Sequence, residues 1–183
     1  MLYTRKGDEG TTKTFGCDQR ISKSSAVAEA LGSLDEINSF LGLCKVRSAE
    51  AGFKIGEKTF EQMVHSLQEN LFTVQAELAG ADKHIGEEKV KEVEIWIDEA
   101  EKEMPPIKTF FISGGTDMAA TFDVARTIAR RAERRVVGVN EEGLVKLGEE
   151  TLKFMNRLSS ILYALARLSN HKSGIKETAP SYN

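Results

Sequence analysis

The stretch ARTIARRAERRV, residues 125–136, carries a clear helical signature. Ala125, Ile128, Ala129, Ala132 and Val136 recur at i, i+3, i+4, i+7 and i+11, the period of one apolar helix face. At about 100° per residue, Arg126, Arg130 and Arg134 fall on one stripe that borders this face, and Arg131 and Arg135 lie further round. Five arginines in ten residues stand out in a chain whose formal net charge is −3. Like charges at this spacing repel by about a few tenths of a kcal/mol per pair. Three readings account for the face: a solvated, salt-bridged surface, a basic helix for RNA, or a seat for a polyanion such as a triphosphate.

The same period recurs on both sides. Ala30, Leu34, Ile37, Leu41 and Cys44 form one apolar stripe, in a helix expected to begin near Ser24. Phe60, Met63, Leu67, Leu71, Val74 and Leu78 form a second, ending near Gly80. Val90, Val93, Ile97, Ala100 and Met104 form a third, stopped by Pro105 and Pro106. The arginine helix is the fourth, expected from just after Gly114-Gly115 to about Val139, and Leu147, Thr151, Met155, Leu158, Leu162 and Leu165 mark a fifth. No strand alternation competes over a comparable length. The expected fold is all-α: a five-helix bundle in a ferritin-like up-down arrangement behind an irregular N-terminal loop. It is expected as one domain over residues 1–183, with the loop at 1–23, the bundle at 24–173 and a flexible tail from 174.

Composition narrows the function. A chain of 183 residues suits one domain with a proper core. The acidic balance argues against a generic nucleic-acid binder. Cys17 and Cys44 form no CxxC, which predicts neither a disulfide framework nor a zinc knuckle. There is no apolar run long enough to span a membrane, and MLYTRKGDEG lacks the apolar core of a signal peptide, so a cytoplasmic protein is expected.

Two further segments offer polar chemistry. TRKGDEGTTKT, residues 4–14, combines Gly7 and Gly10 with Lys6, Lys13, Thr11 and Thr12, a composition able to cradle phosphate with backbone N–H groups. It lacks the spacing of a Walker A loop, and on its own such a Gly/Thr turn is more often structural. In VAEALGSLDEINS, residues 27–39, Asp35 adjoins the core stripe, so its carboxylate is expected to be partly buried and to need a partner. An interhelical salt bridge is the plain alternative. Asn156 and Arg157 interrupt the apolar run of the fifth helix.

Together YTRKGDEGTT, VAEALGSLDEINS, GGTDMAATFDVARTIARRAERRVV and FMNRLSSILYALAR resemble the PduO-type ATP:cob(I)alamin adenosyltransferases, over nearly the whole chain and in the same order. The resemblance implies transfer of the 5′-deoxyadenosyl group of ATP to the cobalt of cob(I)alamin, with release of triphosphate. It implies a homotrimer with active sites between subunits, ATP as cosubstrate, cobalamin as substrate, and Mg2+ travelling with ATP. No metal ligand of its own, nucleic acid or membrane is implied. A cobalamin reductase and an adenosylcobalamin-dependent enzyme are candidate protein partners that the sequence does not name.

Residue by residue, Thr4, Arg5, Lys6, Gly7, Thr12, Lys13 and Lys23 match the family's nucleotide loop. Arg130, Glu133, Arg134 and Asn156 match its other nucleotide contacts, with Glu133 expected to orient Arg130. Asp35 and Arg126 match an intersubunit ion pair beside the corrin, and Phe110 matches the aromatic that displaces the lower cobalt ligand; its neighbour Phe111 is the competing assignment. Three positions depart from the family pattern: Ser113 for a proline, Asp123 for a histidine and Ser160 for an aspartate. Two other classes remain open: a ferritin-like di-metal enzyme, whose Glu-x-x-His pairs are absent around His65, His84 and His171, and a module that delivers adenosylcobalamin without making it.

Overall fold

The computed structural model describes residues 3–14 and 19–182. Five helices dominate: α1 (Ala26–Ala51), α2 (Phe60–Leu78), α3 (Glu87–Glu103), α4 (Asp117–Glu141) and α5 (Glu149–Lys172). Two short antiparallel hairpins precede and follow α1. Strand β1 (Thr11–Lys13) pairs with β2 (Arg20–Ser22), and β3 (Lys54–Ile55) pairs with β4 (Lys58–Thr59). The first hairpin lies within the segment expected to be irregular. No described helix is long and apolar enough to cross a membrane.

Local chemistry sets the helix boundaries. Ser25 Oγ accepts from Ala28 N, so α1 starts at Ala26 and Ser24 stays outside it. Thr59 and Gln62 form a reciprocal capping box at α2, and Thr116 Oγ1 accepts from Ala119 N at α4. Gly52 ends α1 with φ +67°, a conformation strained for any residue with a Cβ. Met104 closes α3 in extended backbone, as the following Pro105 requires.

In the bundle α1 packs between α2 and α4, and α5 packs between α4 and α3. Helices α1 and α4 run antiparallel: Arg135 reaches Glu29 near the start of α1, and Arg47 near its end reaches Asp117. Every member of the expected first, second and fifth stripes is buried. In α3, Ile97 is only partly buried and Trp96 fills the core beside Val93 and Ala100. Phe60, Phe122 and Phe154 are wholly enclosed, with Phe60 edge-on to Phe122 at 6.3 Å between ring centres. Cys44 belongs to this core, where burial pushes its thiol up to about 12; it is a packing residue. Cys17 lies outside the described residues.

The chain after α5 was expected to be loose, yet it makes specific contacts. Ile112 N donates to the Thr178 carbonyl at 2.9 Å, and Arg167 Nε donates to Glu177 Oε2 at 3.0 Å. The tail thereby reaches the segment that joins α3 to α4.

Candidate active site

Packing splits the arginine run in two. Arg131 reaches Glu36 at 2.5 Å, and Arg135 reaches Glu29 at 2.6 Å and Ser33 Oγ at 2.5 Å, so both are consumed by α1. Arg126, Arg130 and Arg134 point away from these carboxylates. Arg130 and Arg134 are exposed, and Arg134 Nη1 donates to the Arg130 carbonyl at 3.0 Å. Among the described residues no carboxylate engages the Arg130 guanidinium. Glu133, expected to orient Arg130, instead accepts from Asn156 Nδ2 at 3.0 Å. The reason is the α4–α5 packing, which brings an amide donor to that carboxylate. Asn156 Oδ1 in turn accepts from Arg157 Nη1 at 2.6 Å, and Arg157 Nε reaches Glu94 at 2.9 Å.

Arg126 is more enclosed. Its guanidinium lies 5.7 Å from the Tyr163 ring centre and 3.5 Å from Asp123 Oδ1, and its Nε has no hydrogen-bond partner among the described residues. Asp35 departs from expectation. It is exposed on α1, with Leu34 and Ile37 beside it in the core, and it bonds to no described residue. Within one chain it does not meet Arg126.

A cavity of about 600 Å³ opens between the α3–α4 segment, α4 and α5. Phe110, Arg126, Arg130, Ser160 and Tyr163 line it. The two phenylalanines occupy different settings: Phe110 is 77% exposed, whereas Phe111 lies under Arg167, 5.0 Å from its guanidinium carbon. Asp123 and Ser160, two departures from the family pattern, both line the cavity, and Asp123 Oδ2 accepts from Gly114 N at 3.1 Å. Asn170 fixes the next turn by accepting from Thr116 N at 3.0 Å and donating to the Gly114 carbonyl at 2.8 Å. Gly115 passes so close to this amide, at φ +108°, that any Cβ there would collide with it.

The N-terminal loop is tied internally. Arg20 bonds Thr11 Oγ1 at 2.7 Å, the Thr11 carbonyl at 2.8 Å and the Lys6 carbonyl. Lys23 Nζ donates to the Gly7 carbonyl at 2.9 Å, and Lys23 N to the Gly10 carbonyl at 2.9 Å. Arg5 holds φ +60°, an uncommon backbone state for a residue with a side chain, and stacks over Tyr3 at 5.5 Å. Thr4, Lys6 and Lys13 are exposed and Thr12 is half-buried. Sequence reading passed over Arg20, Tyr163, Arg167 and Asn170. The last two break the apolar run of α5 and are buried, the signal that could have marked them.

The arrangement sets the Arg130 guanidinium, which no described carboxylate engages, beside Arg126 on a roomy, partly aromatic cavity. Such a face can hold an anion of several charges beside a large flat ligand. The family model described as cobalamin adenosyltransferase matches residues 2–169. The chain belongs to the cobalamin adenosyltransferase family. Among curated members it is 37% identical over 177 residues to the corrinoid adenosyltransferase PduO of Citrobacter freundii, covering 93% of this chain and 50% of that protein. It thus spans about half the length of that relative. It is 38% identical to a corrinoid adenosyltransferase of Bacillus subtilis, covering 95% and 89% of the two chains. A solved variant of the PduO-type ATP:corrinoid adenosyltransferase from Lactobacillus reuteri, complexed with cobalamin and ATP, superposes with a TM-score of 0.86 at 30% identity over the full length of both chains.

Proposed function

We propose that this cobalamin adenosyltransferase family member transfers the 5′-deoxyadenosyl group of ATP to the cobalt of cob(I)alamin. Co(I) supplies the nucleophilic electron pair, a Co–C5′ bond forms, the C5′–O bond breaks, and its electrons leave on triphosphate. The corrinoid brings the reactivity, and the protein positions C5′ and stabilises the leaving charge. The observation that carries this reading is that Arg126 and Arg130 line the same cavity as Phe110.

In this reading Arg130 and Arg134 meet the phosphates, with Glu133 and Asn156 clasped beside them. Thr4, Arg5, Lys6, Gly7, Thr12, Lys13 and Lys23 form the nucleotide loop, whose geometry Arg20 maintains. Phe110 excludes water and the lower ligand from cobalt. Mg2+ arrives with ATP, held mainly by phosphate oxygens.

We read the active form as a homotrimer in which Asp35 of one subunit pairs with Arg126 of the next. Support comes from Asp35, which bonds to no described residue, and from Arg126, whose Nε makes no hydrogen bond to a described residue and meets Asp123 only at 3.5 Å. A cytoplasmic setting and a reductase that supplies Co(I) complete the reading. The test is turnover with chemically reduced cobalamin and ATP, followed by loss of the Co(I) absorption. Stoichiometric adenosylcobalamin and triphosphate support it; unchanged Co(I) with ATP bound overturns it.

A further inference from the structure

Phe110 acts, on the reading above, only if its ring is held toward the cavity. Nothing buries Phe110 itself, which is 77% exposed. Its neighbour Phe111 is half-buried and lines the same cavity, together with Arg167 and Glu177. The Phe111 ring lies 5.0 Å from the Arg167 guanidinium carbon. Arg167 is 7% exposed and donates from Nε to Glu177, whose side chain is 16% exposed. One residue further, Ile112 N donates to the Thr178 carbonyl at 2.9 Å. A single guanidinium thus holds both the ring beside Phe110 and the chain after α5.

We infer that Arg167 is a positioning residue: its clasp on Phe111 and Glu177, closed by the Ile112–Thr178 bond, sets the orientation of Phe110. The inference rests on the proposed cobalamin chemistry. Asn170 is a separate anchor, since it holds Gly114 and Thr116 at the start of α4. Only a planar guanidinium performs both tasks of Arg167, because it stacks through its face while donating in its plane. A lysine keeps the charge but cannot stack and donate in this way. Breaking a mostly buried ion pair also strands the remaining partner, so either side of the clasp is vulnerable.

The test compares wild type with Arg167→Lys, Glu177→Gln and Phe111→Leu, each loaded with cob(II)alamin and ATP. Two readouts are taken: the four-coordinate Co(II) signal in electron paramagnetic resonance, and tryptic cleavage after the exposed Lys108 followed by mass spectrometry. Arg167→Lys should lower the four-coordinate share roughly fivefold to tenfold and raise the Lys108 cleavage rate by a similar factor, with ATP affinity retained. Glu177→Gln, which keeps a neutral acceptor, should fall between, and it decides the matter if Arg167→Lys does not fold. A wild-type signal that all folded variants reproduce, with unchanged cleavage, overturns the inference. If wild type itself shows no four-coordinate signal, the cobalamin reading fails separately; faster cleavage in the variants then still establishes the clasp, and unchanged cleavage removes it.

Discussion

Glu77 on α2 caps α5 through Thr151: Glu77 Oε2 accepts from Thr151 Oγ1 at 2.5 Å, inside the protein. The other oxygen accepts from Gly148 N at 2.7 Å and meets His84 Nδ1 at 3.1 Å. Helix α5 has a glycine N-cap and no side-chain cap of its own. A carboxylate from another helix therefore satisfies its open N–H group and complements its dipole. Glu77→Ala should lower unfolding free energy by about 3 kcal/mol, because Thr151 and Gly148 lose their acceptor in a buried place. Urea denaturation measures this, and a loss under about 1 kcal/mol contradicts the cap.

His84 makes this junction pH-sensitive. The hydrogen bond to Glu77 is the main reason its imidazolium is favoured, with Asp82 adding to it, so its pKa is raised from 6.5. The protonated form is bound more strongly in the folded state. The stabilisation is therefore full below about pH 6.5 and is lost as pH rises through the raised folded value. In thermal melts across pH 5 to 9, wild type should lose more Tm than His84→Gln over that window. Parallel curves for the two proteins contradict the link.

Arg130→Ala should fold normally and lose activity through weaker stabilisation of the departing triphosphate. Removing one preorganised charged donor costs on the order of 3 kcal/mol at the transition state, roughly a hundredfold in rate. Initial rates at saturating and at low ATP provide the check. Wild-type turnover under both conditions removes Arg130 from the phosphate site.

Asp35 and Arg126 are expected to need each other across a subunit boundary. Each single reversal, Asp35→Arg or Arg126→Asp, should weaken assembly and activity. The double swap should recover more of both than additivity allows. Light scattering reports the assembly. A fully active monomer contradicts the pairing outright.

Phe110→Ala and Phe110→His should bind ATP nearly as wild type does and leave bound cob(II)alamin mostly five-coordinate. Adenosylation that starts from cob(II)alamin should fall steeply, and chemically prepared cob(I)alamin should restore part of the rate. Electron paramagnetic resonance with ATP present distinguishes the states. Equal four-coordinate signals in wild type and variants shift the role to Phe111.

The helices were legible because apolar periodicity is a local property. Leu34, Ile37 and Leu41 announce their burial by spacing alone. The split of the arginine run was also partly legible, since Arg131 and Arg135 fall off the main stripe. Polar partnerships were not, because residues far apart in the chain choose them. Spacing assigned Glu133 to Arg130, but Asn156 of α5 takes it. Glu77 and Thr151 sit on separate helices, and neither one's neighbours foretell the meeting. Asp35 looked partly buried because it adjoins Leu34, yet the turn of α1 carries it outward. The β1–β2 hairpin escaped notice because its strands are three residues each and Arg20 side-chain bonds hold it as much as any alternation.

The Glu133–Asn156 clasp also bears on how the chain acquires its shape. Its partners stand on consecutive helices joined by one short turn, so closing that loop costs little chain entropy. Contacts of low sequence separation form fast, which places the α4–α5 hairpin among the first elements to assemble. The clasp of Glu177 with Arg167 is more local still, only ten residues apart. By contrast the α1–α4 bridges, such as Arg135 with Ser33 at a separation of 102 residues, must wait for a much longer loop to close. A full-length chain refolding from denaturant is therefore expected to pair α4 with α5 before α1 docks on Arg131 and Arg135. During that interval Arg131 and Arg135 stand open beside Arg130 and Arg134, and polyanions in the surroundings meet a more basic surface than the finished protein presents.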